Sequence, residues 1–293
     1  MSKQFAVPID AVPIDHLVIN VLKEMDTAHD TFKQLGFTMT PRGRHTMGSI
    51  NHLMIFEKDY IELIGLPNDG TILRDELLGN PIGIDGIVFQ SSDAEQTYKT
   101  LTKRKQSLQP VQSFSRPVDL GGKKVDASFK TVRFTPGQFP AGRIYFCQHF
   151  TPELVWRKEW QSHANGAQAV AGFLVVSKQP KKDAEQYCKV SGGTLVKGKH
   201  GEYRITGEHY ALVFIDQAAY AECYGPLVCD DHGRVSFFGA IALKTKSLDA
   251  VRKVLSSADP SLSGIRWRDE DNRIALQVPG FNTLLEFVET QLI

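Results

Sequence analysis

The stretch IDHLVINV, from Ile14 to Val21, decides the fold because its pattern returns three more times along the chain. The later copies are IDGIVFQSS (Ile84 to Ser92), AGFLVVS (Ala171 to Ser177) and FGAIALKTKS (Phe238 to Ser247). All four are rich in β-branched and aliphatic residues, which favour β-strands. Opening strands at similar intervals predict four copies of one structural module.

A helical pattern and further strands follow each opening strand. Apolar residues recur at helical spacing after three of these strands, in the sets Ala28, Phe32, Leu35; Ala94, Tyr98, Leu101; and Leu248, Val251, Leu255. A weaker pattern predicts the remaining helix around Lys181 to Val190. The modules close with the strands DYIELIG, RIYFCQH, HYALVFID and NTLLEFVE. Each module therefore reads as a strand, a helix and about three strands.

This order predicts an α+β fold with four βαβββ modules that pair into two clefts. A helix covers one face of the sheet in such a module, so the other face must be buried or used. The polar stretch WRKEWQSHANGAQ, from Trp156 to Gln168, separates the second module from the third. We therefore expect two domains, 1–160 and 161–293, each with one cleft.

The composition of the 293-residue chain argues against several classes of protein. Its 34 basic and 33 acidic residues leave a net charge of +1, which gives no electrostatic reason to bind nucleic acid or a membrane. The four cysteines form no CxxC pair, so a cysteine zinc site is not expected. We find no signal-like or membrane-spanning apolar run, and we predict a soluble cytoplasmic protein with reduced thiols.

Strand alternation predicts which side chains face the first cleft. In the opening strand Leu17, Ile19 and Val21 share an apolar face that should meet the helix, and His16 lies on the other face. The same alternation in the closing strands places further polar residues on the non-helix face. That face collects three potential metal ligands: His16, Glu62 and His149.

Two imidazoles and a carboxylate commonly hold a divalent metal and leave positions open for a substrate. A carboxylate between Ile61 and Leu63 on a sheet needs water, a partner or a metal, which favours this interpretation of Glu62. The alternative is that His16 is a structural histidine and that His149 already lies in a turn before Pro152.

Three further residues are candidates for substrate binding. Arg44 and His45 follow the second strand, and an arginine there can hold a carboxylate or phosphate through two hydrogen bonds. Arg133 alternates against Val132 and Phe134, so it should point into the cleft. The alternatives are a solvated basic loop and a surface arginine.

The second half lacks the polar pattern of the first. Its cleft face is apolar or small, and Glu286 matches the position of Glu62 without an accompanying histidine. We expect this cleft to hold packing, a lost site or an apolar pocket.

These residues resemble the vicinal-oxygen-chelate superfamily, the group of glyoxalases, bleomycin-resistance proteins and extradiol dioxygenases. The resemblance covers roughly residues 10 to 160. It is carried by DHLV, by RGRHTMGSINHLMIF with DYIELIG, and by FCQHFTPELVW, which are similar to the glyoxalase-like domain branch. It implies paired βαβββ modules around a divalent metal (zinc, iron, manganese or nickel) with ligands on the first and last strands.

The ligand positions of that superfamily are matched in part. His16 and Glu62 match them in the first module, but the second module has Gly86 and Tyr145 there, so His149 would have to substitute. This departs from the four ligands of the glyoxalase I type and from the two first-strand histidines of extradiol dioxygenases.

Two functions follow from the resemblance. The first is a metal-dependent lyase, isomerase or dioxygenase that acts on a small oxygen-rich substrate; its catalytic base is not identifiable from the sequence. The alternative is a non-catalytic binding or sequestration protein of the bleomycin-resistance type. The second half has a third possible role, in dimerisation or stability, and we expect a monomer or a homodimer.

Overall fold

The computed structural model describes residues 11–70, 74–257 and 264–289. Its first half forms one eight-stranded sheet with the strand order β2-β3-β4-β1-β5-β8-β7-β6. The elements in chain order are β1 (Ile14–Leu22), α1 (Met25–Gln34), β2 (Gly43–Arg44), β3 (Ile50–Ile55), β4 (Tyr60–Gly65), α2 (Asp75–Leu78), β5 (Gly83–Gln90), α3 (Ala94–Lys103), β6 (Gln112–Leu120), β7 (Lys123–Arg133) and β8 (Arg143–His149).

The second half repeats this arrangement in a second eight-stranded sheet, with the order β10-β11-β12-β9-β13-β16-β15-β14. Its elements are β9 (Ala167–Ser177), α4 (Pro180–Ser191), β10 (Thr194–Lys197), β11 (Tyr203–Thr206), β12 (Ala211–Ile215), α5 (Gln217–Tyr224), β13 (Ser236–Thr245), α6 (Leu248–Ser256), β14 (Arg266–Glu270), β15 (Arg273–Val278) and β16 (Thr283–Val288). The four predicted βαβββ modules are therefore confirmed.

Each module closes on itself in the same way. Its last strand runs parallel to its first, as β4 does beside β1, and the two modules of a half join through antiparallel first strands, β1 with β5 and β9 with β13. The joined first strands bring the non-helix faces of two modules together. This pairing is what builds a cleft.

The two faces of the first sheet differ as the alternation predicts. Leu17 and Ile19 belong to the large core that includes Phe32 of α1, whereas Val18 belongs to a separate cluster with Tyr60 and Ile64. The large core also crosses between the halves, because the Phe32 ring lies with its centroid 6.1 Å from that of Phe281. The helix-covered faces of the two sheets thus share one core, while the division at 160/161 stays a prediction.

The predicted helices form where the apolar spacing indicated them. In α1 the buried residues include Ala28 and Phe32, and in α3 the Asp93 carboxylate accepts a hydrogen bond from the Gln96 N–H at the helix start. The weak third pattern is also a helix, α4, which buries Tyr187 and Val190. Within the described residues, no helix combines the length and apolar character needed to cross a membrane.

The cleft of the second half is filled by its own chain. The helix α5 lies on the non-helix face of the second sheet, where Tyr220 and Tyr224 cluster with Leu174 and Val176. The Tyr220 hydroxyl donates to the Gly239 carbonyl at 2.8 Å. Of the three expectations for this cleft, the structure shows packing.

A buried carboxyl group at the junction of the halves makes stability depend on pH. Asp59 is 6% exposed and accepts a hydrogen bond from the Val170 N–H at 3.0 Å. Burial raises the pKa of Asp59 from 3.8 to about 7, and the nearby Asp15 charge adds to this. Between these two pH values the unfolded chain has lost the proton that the folded chain keeps, so the free energy of unfolding falls as the pH rises.

We therefore expect Asp59→Asn to stabilise the protein at pH 8, by roughly 3 kcal/mol. The amide oxygen can still accept the Val170 hydrogen bond, and no ionisation is forced on the folded state. Urea unfolding at pH 4 and pH 8 checks this, with the pH 4 pair as internal control. A variant that is no more stable than the wild type at pH 8 would contradict the account.

Candidate metal and substrate site

A cavity of about 1140 Å³ lies against the non-helix face of the first sheet. His16 from β1, Glu62 from β4 and Tyr145 from β8 line its floor. Aromatic side chains, Phe114 and Phe129, form part of its wall. This is the cleft that the paired modules predict, and it remains open because α2, which follows β4 as α5 follows β12, lies at its side.

His16 and Glu62 face each other across neighbouring strands. In the parallel pair of β1 and β4, His16 lies opposite Tyr60 and Val18 lies opposite Glu62, so both side chains point to the cavity face. The His16 Nε2 atom is 3.7 Å from Glu62 Oε2. Both residues are buried, at 4% and 5% exposed.

Asp15 fixes the tautomer of His16. The Asp15 Oδ1 atom lies 2.6 Å from His16 Nδ1, and a carboxylate can only accept, so Nδ1 carries the proton and donates. Burial alone would raise the pKa of Asp15, but His149 and His16 hold it at about 2. With Nδ1 held by Asp15, Nε2 is the nitrogen of His16 that can ligate a metal on the cavity side, as in many metal-ligating histidines.

Glu62 is a buried carboxylate. Burial would raise the pKa of Glu62, but the neighbouring His45 and His16 and a hydrogen bond from Asn51 lower it on balance. The Asn51 amide donates to Glu62 Oε1 at 2.7 Å. The close ionic contacts of Glu62 with described residues are to the two histidines, which leaves the carboxylate without a lysine or arginine in direct contact.

His45 reaches the same carboxylate from the loop after β2. Its Nε2 atom is 3.8 Å from Glu62 Oε1, and its Nδ1 atom is 2.8 Å from the Ser49 hydroxyl. Burial lowers the pKa of His45 to about 4, with Arg116 and Arg74 adding to the effect, so the imidazole is neutral at physiological pH. The structure thus places a predicted substrate contact beside a predicted metal ligand.

His16, Glu62 and His45 supply the donor types that a divalent cation takes. The Nε2 atoms of His16 and His45 lie 3.7 and 3.8 Å from Oε2 and Oε1 of Glu62, beyond hydrogen-bond distance. Their ligand atoms do not all lie within 4.8 Å of one another, so a cation would have to draw them together. It would replace two long contacts, from the Tyr145 hydroxyl to His16 Nε2 at 3.4 Å and from the Asn51 amide to His45 Nε2 at 3.3 Å.

His149 lies apart from this group. Its Nε2 atom is 3.0 Å from Asp15 Oδ1, and it lines a second cavity of about 510 Å³ together with Trp156. The structure therefore does not assemble His16, Glu62 and His149 around one point.

His149 instead belongs to a compact cluster with Asp15 and Cys147. Across the described ranges, these three form the group of potential ligand atoms that all lie within 4.8 Å of one another. Burial raises the pKa of the Cys147 thiol well above its usual value, and the Asp15 and Glu62 charges add to this, so the sulfur keeps its proton. The Asp15 carboxylate is already engaged by two histidines, which favours a structural role for this cluster.

The two predicted arginines have different surroundings. Arg133 lines the large cavity, 3.8 Å from Glu76, and its Nε atom has no hydrogen-bond partner. The Arg44 side chain is more than half exposed and forms an ion pair with Asp69 at 3.1 Å. Arg44 is therefore not brought to the cavity.

Two buried arginines of the cavity were missed by sequence reasoning. Arg74 is 8% exposed and binds Glu76 and Ser49, and Arg116 on β6 is 3% exposed. A signal for Arg116 exists in the alternation of β6, where it lies between Phe114 and Val118 on the inward face. Arg74 directly precedes α2, outside any strand, and carries no such pattern.

Comparisons with known proteins agree with this fold. A family profile described as "Glyoxalase-like domain" matches residues 14–191. No curated protein matches the sequence significantly.

Solved structures share the fold at low sequence identity. A hypothetical protein from Staphylococcus aureus is 12% identical with a TM-score of 0.63, covering 94% of this chain and 98% of that one. A mutant of 4-hydroxymandelate synthase from Streptomyces coelicolor is 10% identical, with a TM-score of 0.52 and 96% and 93% coverage.

A third solved structure is a fusion of a xylose isomerase-like TIM barrel with 4-hydroxyphenylpyruvate dioxygenase. It is 12% identical with a TM-score of 0.55, covering 98% of this chain and 51% of that one. At these identities the likeness is one of fold. The profile match over residues 14–191 shows that the chain belongs to the glyoxalase-like domain family, and its paired βαβββ modules have the vicinal-oxygen-chelate fold.

Proposed function

We propose that this protein is a divalent-metal-dependent enzyme of the lyase, isomerase or dioxygenase type, acting on a small oxygen-rich molecule in the large cavity. The observation that carries this proposal is the pairing of His16 Nε2 with the buried Glu62 carboxylate at 3.7 Å. His16 is held by Asp15 in the tautomer that can ligate.

In this proposal His16 and Glu62 hold the metal, and His45 is the third protein ligand. His149 acts through Asp15, which it helps to keep ionised, rather than as a ligand. Three ligands leave coordination positions open for adjacent oxygens of a substrate. When bound, the metal would supply Lewis-acid polarisation of those oxygens, or oxygen activation if it is iron.

The other cavity residues position the substrate. Tyr145 presents its hydroxyl 3.4 Å from His16 Nε2, and burial raises the pKa of this phenol. It therefore stays protonated and can donate a hydrogen bond to a substrate oxygen beside the metal ligands. The stacked rings of Phe114 and Phe129 exclude water from one wall.

Asp15 is a positioning residue in this account, so its charge should affect metal affinity. We expect Asp15→Asn to weaken zinc binding by roughly 10- to 100-fold, the range typical of partners that orient ligating histidines. The amide can still accept from His16 Nδ1, so folding is retained. Competition with a chromogenic chelator measures the affinity, with the exposed Asp119→Asn as matched control; equal zinc affinities in the two variants would contradict the role.

The alternative function is sequestration of a small molecule without chemistry. It is favoured by the second module, where Gly86 and Tyr145 occupy positions that carry ligands elsewhere in the superfamily.

Metal stoichiometry separates the two functions. The proposal predicts about one equivalent of zinc, manganese, nickel or ferrous iron per chain after reconstitution of the untagged protein, measured by plasma mass spectrometry. A wild-type protein that retains none would overturn the enzyme proposal and favour sequestration.

A further inference from the structure

We infer that the large cavity recognises an anionic group, a carboxylate or a phosphate, with Arg116 as its anchor. The inference deepens the proposed function by naming the class of substrate, and it rests on that function for the statement that the anion belongs to a substrate.

Arg116 is a buried cation without a counterion. It is 3% exposed, its Nη2 atom has no hydrogen-bond partner, and it forms no ion pair with any residue that the structure describes. Burial lowers the pKa of Arg116, but a guanidinium keeps its charge at neutral pH. An unpaired buried charge is strongly unfavourable, so a protein that keeps one has a site that an anion can complete.

The shape of the chain at Gly43 makes room for this side chain. A Cβ atom at Gly43 would lie 2.4 Å from Arg116 Cδ and 2.3 Å from Asn51 Oδ1. A side chain at that position would therefore collide with the arginine. The glycine of strand β2 therefore leaves the space that the Arg116 side chain occupies beside the cavity.

The charge of the whole cavity points the same way. The described charged residues that line it are five arginines and three carboxylates: Arg74, Arg116, Arg133, Arg143, Arg234, Glu62, Glu76 and Asp85. Asp85 is engaged by Arg143 at 2.7 Å, and Glu76 is shared by Arg74 and Arg133. Positive charge is in excess even before a metal is added, and a low-dielectric cleft concentrates its attraction for an anion.

The anion would lie beside the proposed metal ligands. Arg116 lines the same cavity as Glu62 and His45, and it lies beside Gly43 together with Asn51, whose amide donates to Glu62 Oε1. Phe114, two residues before Arg116 on the same face of β6, stacks on Phe129 with ring centroids 5.1 Å apart. A small ligand with an anionic head and an apolar or aromatic body matches this combination.

Binding of simple probes to the metal-free protein tests the inference. After chelator treatment, we expect benzoate or phenyl phosphate to bind at least tenfold more tightly than the neutral benzamide in isothermal titration. The stronger of the two anions identifies the head group. Equal binding of benzamide and both anions would overturn the inference.

Substitutions at Arg116 test whether this side chain causes the preference for anionic ligands. Arg116→Met should lose the preference for anions, and without ligand it should unfold at a temperature no lower than the wild type, because an unpaired buried charge is removed. Arg116→Lys keeps the charge without the planar fork and should bind with intermediate affinity. The exposed Arg266→Gln should behave as the wild type. Anion binding that survives in Arg116→Met would overturn the assignment.

The metal-free format separates this inference from the proposed function. Anion preference in a protein that never retains metal would sustain the inference and overturn the metalloenzyme. Full metal occupancy without anion preference would sustain the proposed metalloenzyme and overturn the inference.

Discussion

Glu62→Ala is expected to lower divalent-metal affinity by more than about 100-fold, beyond the range seen when partners of metal ligands are changed. The carboxylate is the anionic member of the proposed set, and the variant would keep only the imidazoles of His16 and His45. Equilibrium dialysis followed by metal analysis measures this loss. The exposed Glu222→Ala, which removes the same charge from α5, is the matched control.

The same substitution should destabilise the metal-free fold only slightly. Although Glu62 is buried, His45, His16 and the hydrogen bond from Asn51 lower its pKa, so the folded chain favours the ionised carboxylate and loses that contribution in the variant. We expect the metal-free variant to lose about 1 kcal/mol of unfolding free energy, the usual cost of one lost hydrogen bond. Retention of metal by Glu62→Ala at wild-type affinity would remove Glu62 from the site.

Arg273→Met should destabilise the protein by roughly 3 kcal/mol, because it leaves a buried carboxylate without its partner. Glu286 is 2% exposed, and it accepts hydrogen bonds from Arg273 Nη1 at 2.9 Å and from the Tyr224 hydroxyl at 2.7 Å. Urea unfolding measures the change in the free energy of unfolding.

The double variant Arg273→Met with Glu286→Leu is the control for this effect. Removing both charges should recover most of the lost stability, since a buried ion pair is often replaceable by apolar residues. A single variant that loses less than about 1 kcal/mol, or a double variant that recovers none of the loss, would contradict this description of the second cleft.

Glu62 and Glu286 occupy the same position in the two halves of the fold, but their carboxylates have different surroundings. Glu62 lies beside Val18 in the parallel pair of β4 and β1, and Glu286 lies beside Ala242 in the corresponding pair of β16 and β13. In the second half, α5 and Arg273 cover the carboxylate and complete its contacts. In the first half the corresponding region is open to the cavity.

The difference arises from a short helix in each half. α2 follows β4, and α5 follows β12, the last strand of the third module. The Leu77 carbonyl of α2 accepts a hydrogen bond from the Asn20 amide at 3.0 Å, so this helix stays at the side of the cavity. α5 instead lays Tyr220 and Tyr224 across the sheet. An open cavity in one half and packing in the other follow from this difference.

Local patterns were enough to predict much of this arrangement. Alternation along one strand fixes which face a side chain takes, so the opposed pair of His16 and Glu62 could be predicted from two short strands. The absence of histidines beside Glu286 indicated correctly that the second cleft differs. Four repeats of one strand and helix pattern specified the modules.

Side chains that tertiary packing brings together from distant parts of the chain could not be predicted in this way. Alternation says nothing about where along a strand the cavity ends, and His149 lies beyond that end, against Asp15. The position of His45 beside Glu62 depends on a loop. Arg74 and Arg116 meet the cavity from separate modules, so their proximity is a property of the packed sheet.

Anomalous X-ray diffraction from crystals grown with zinc is the most direct test of the proposed metal site. The account predicts one strong anomalous peak between His16 Nε2 and the Glu62 carboxylate, within bonding distance of both. A peak instead at Asp15, Cys147 and His149, or none in a zinc-saturated crystal, would contradict it.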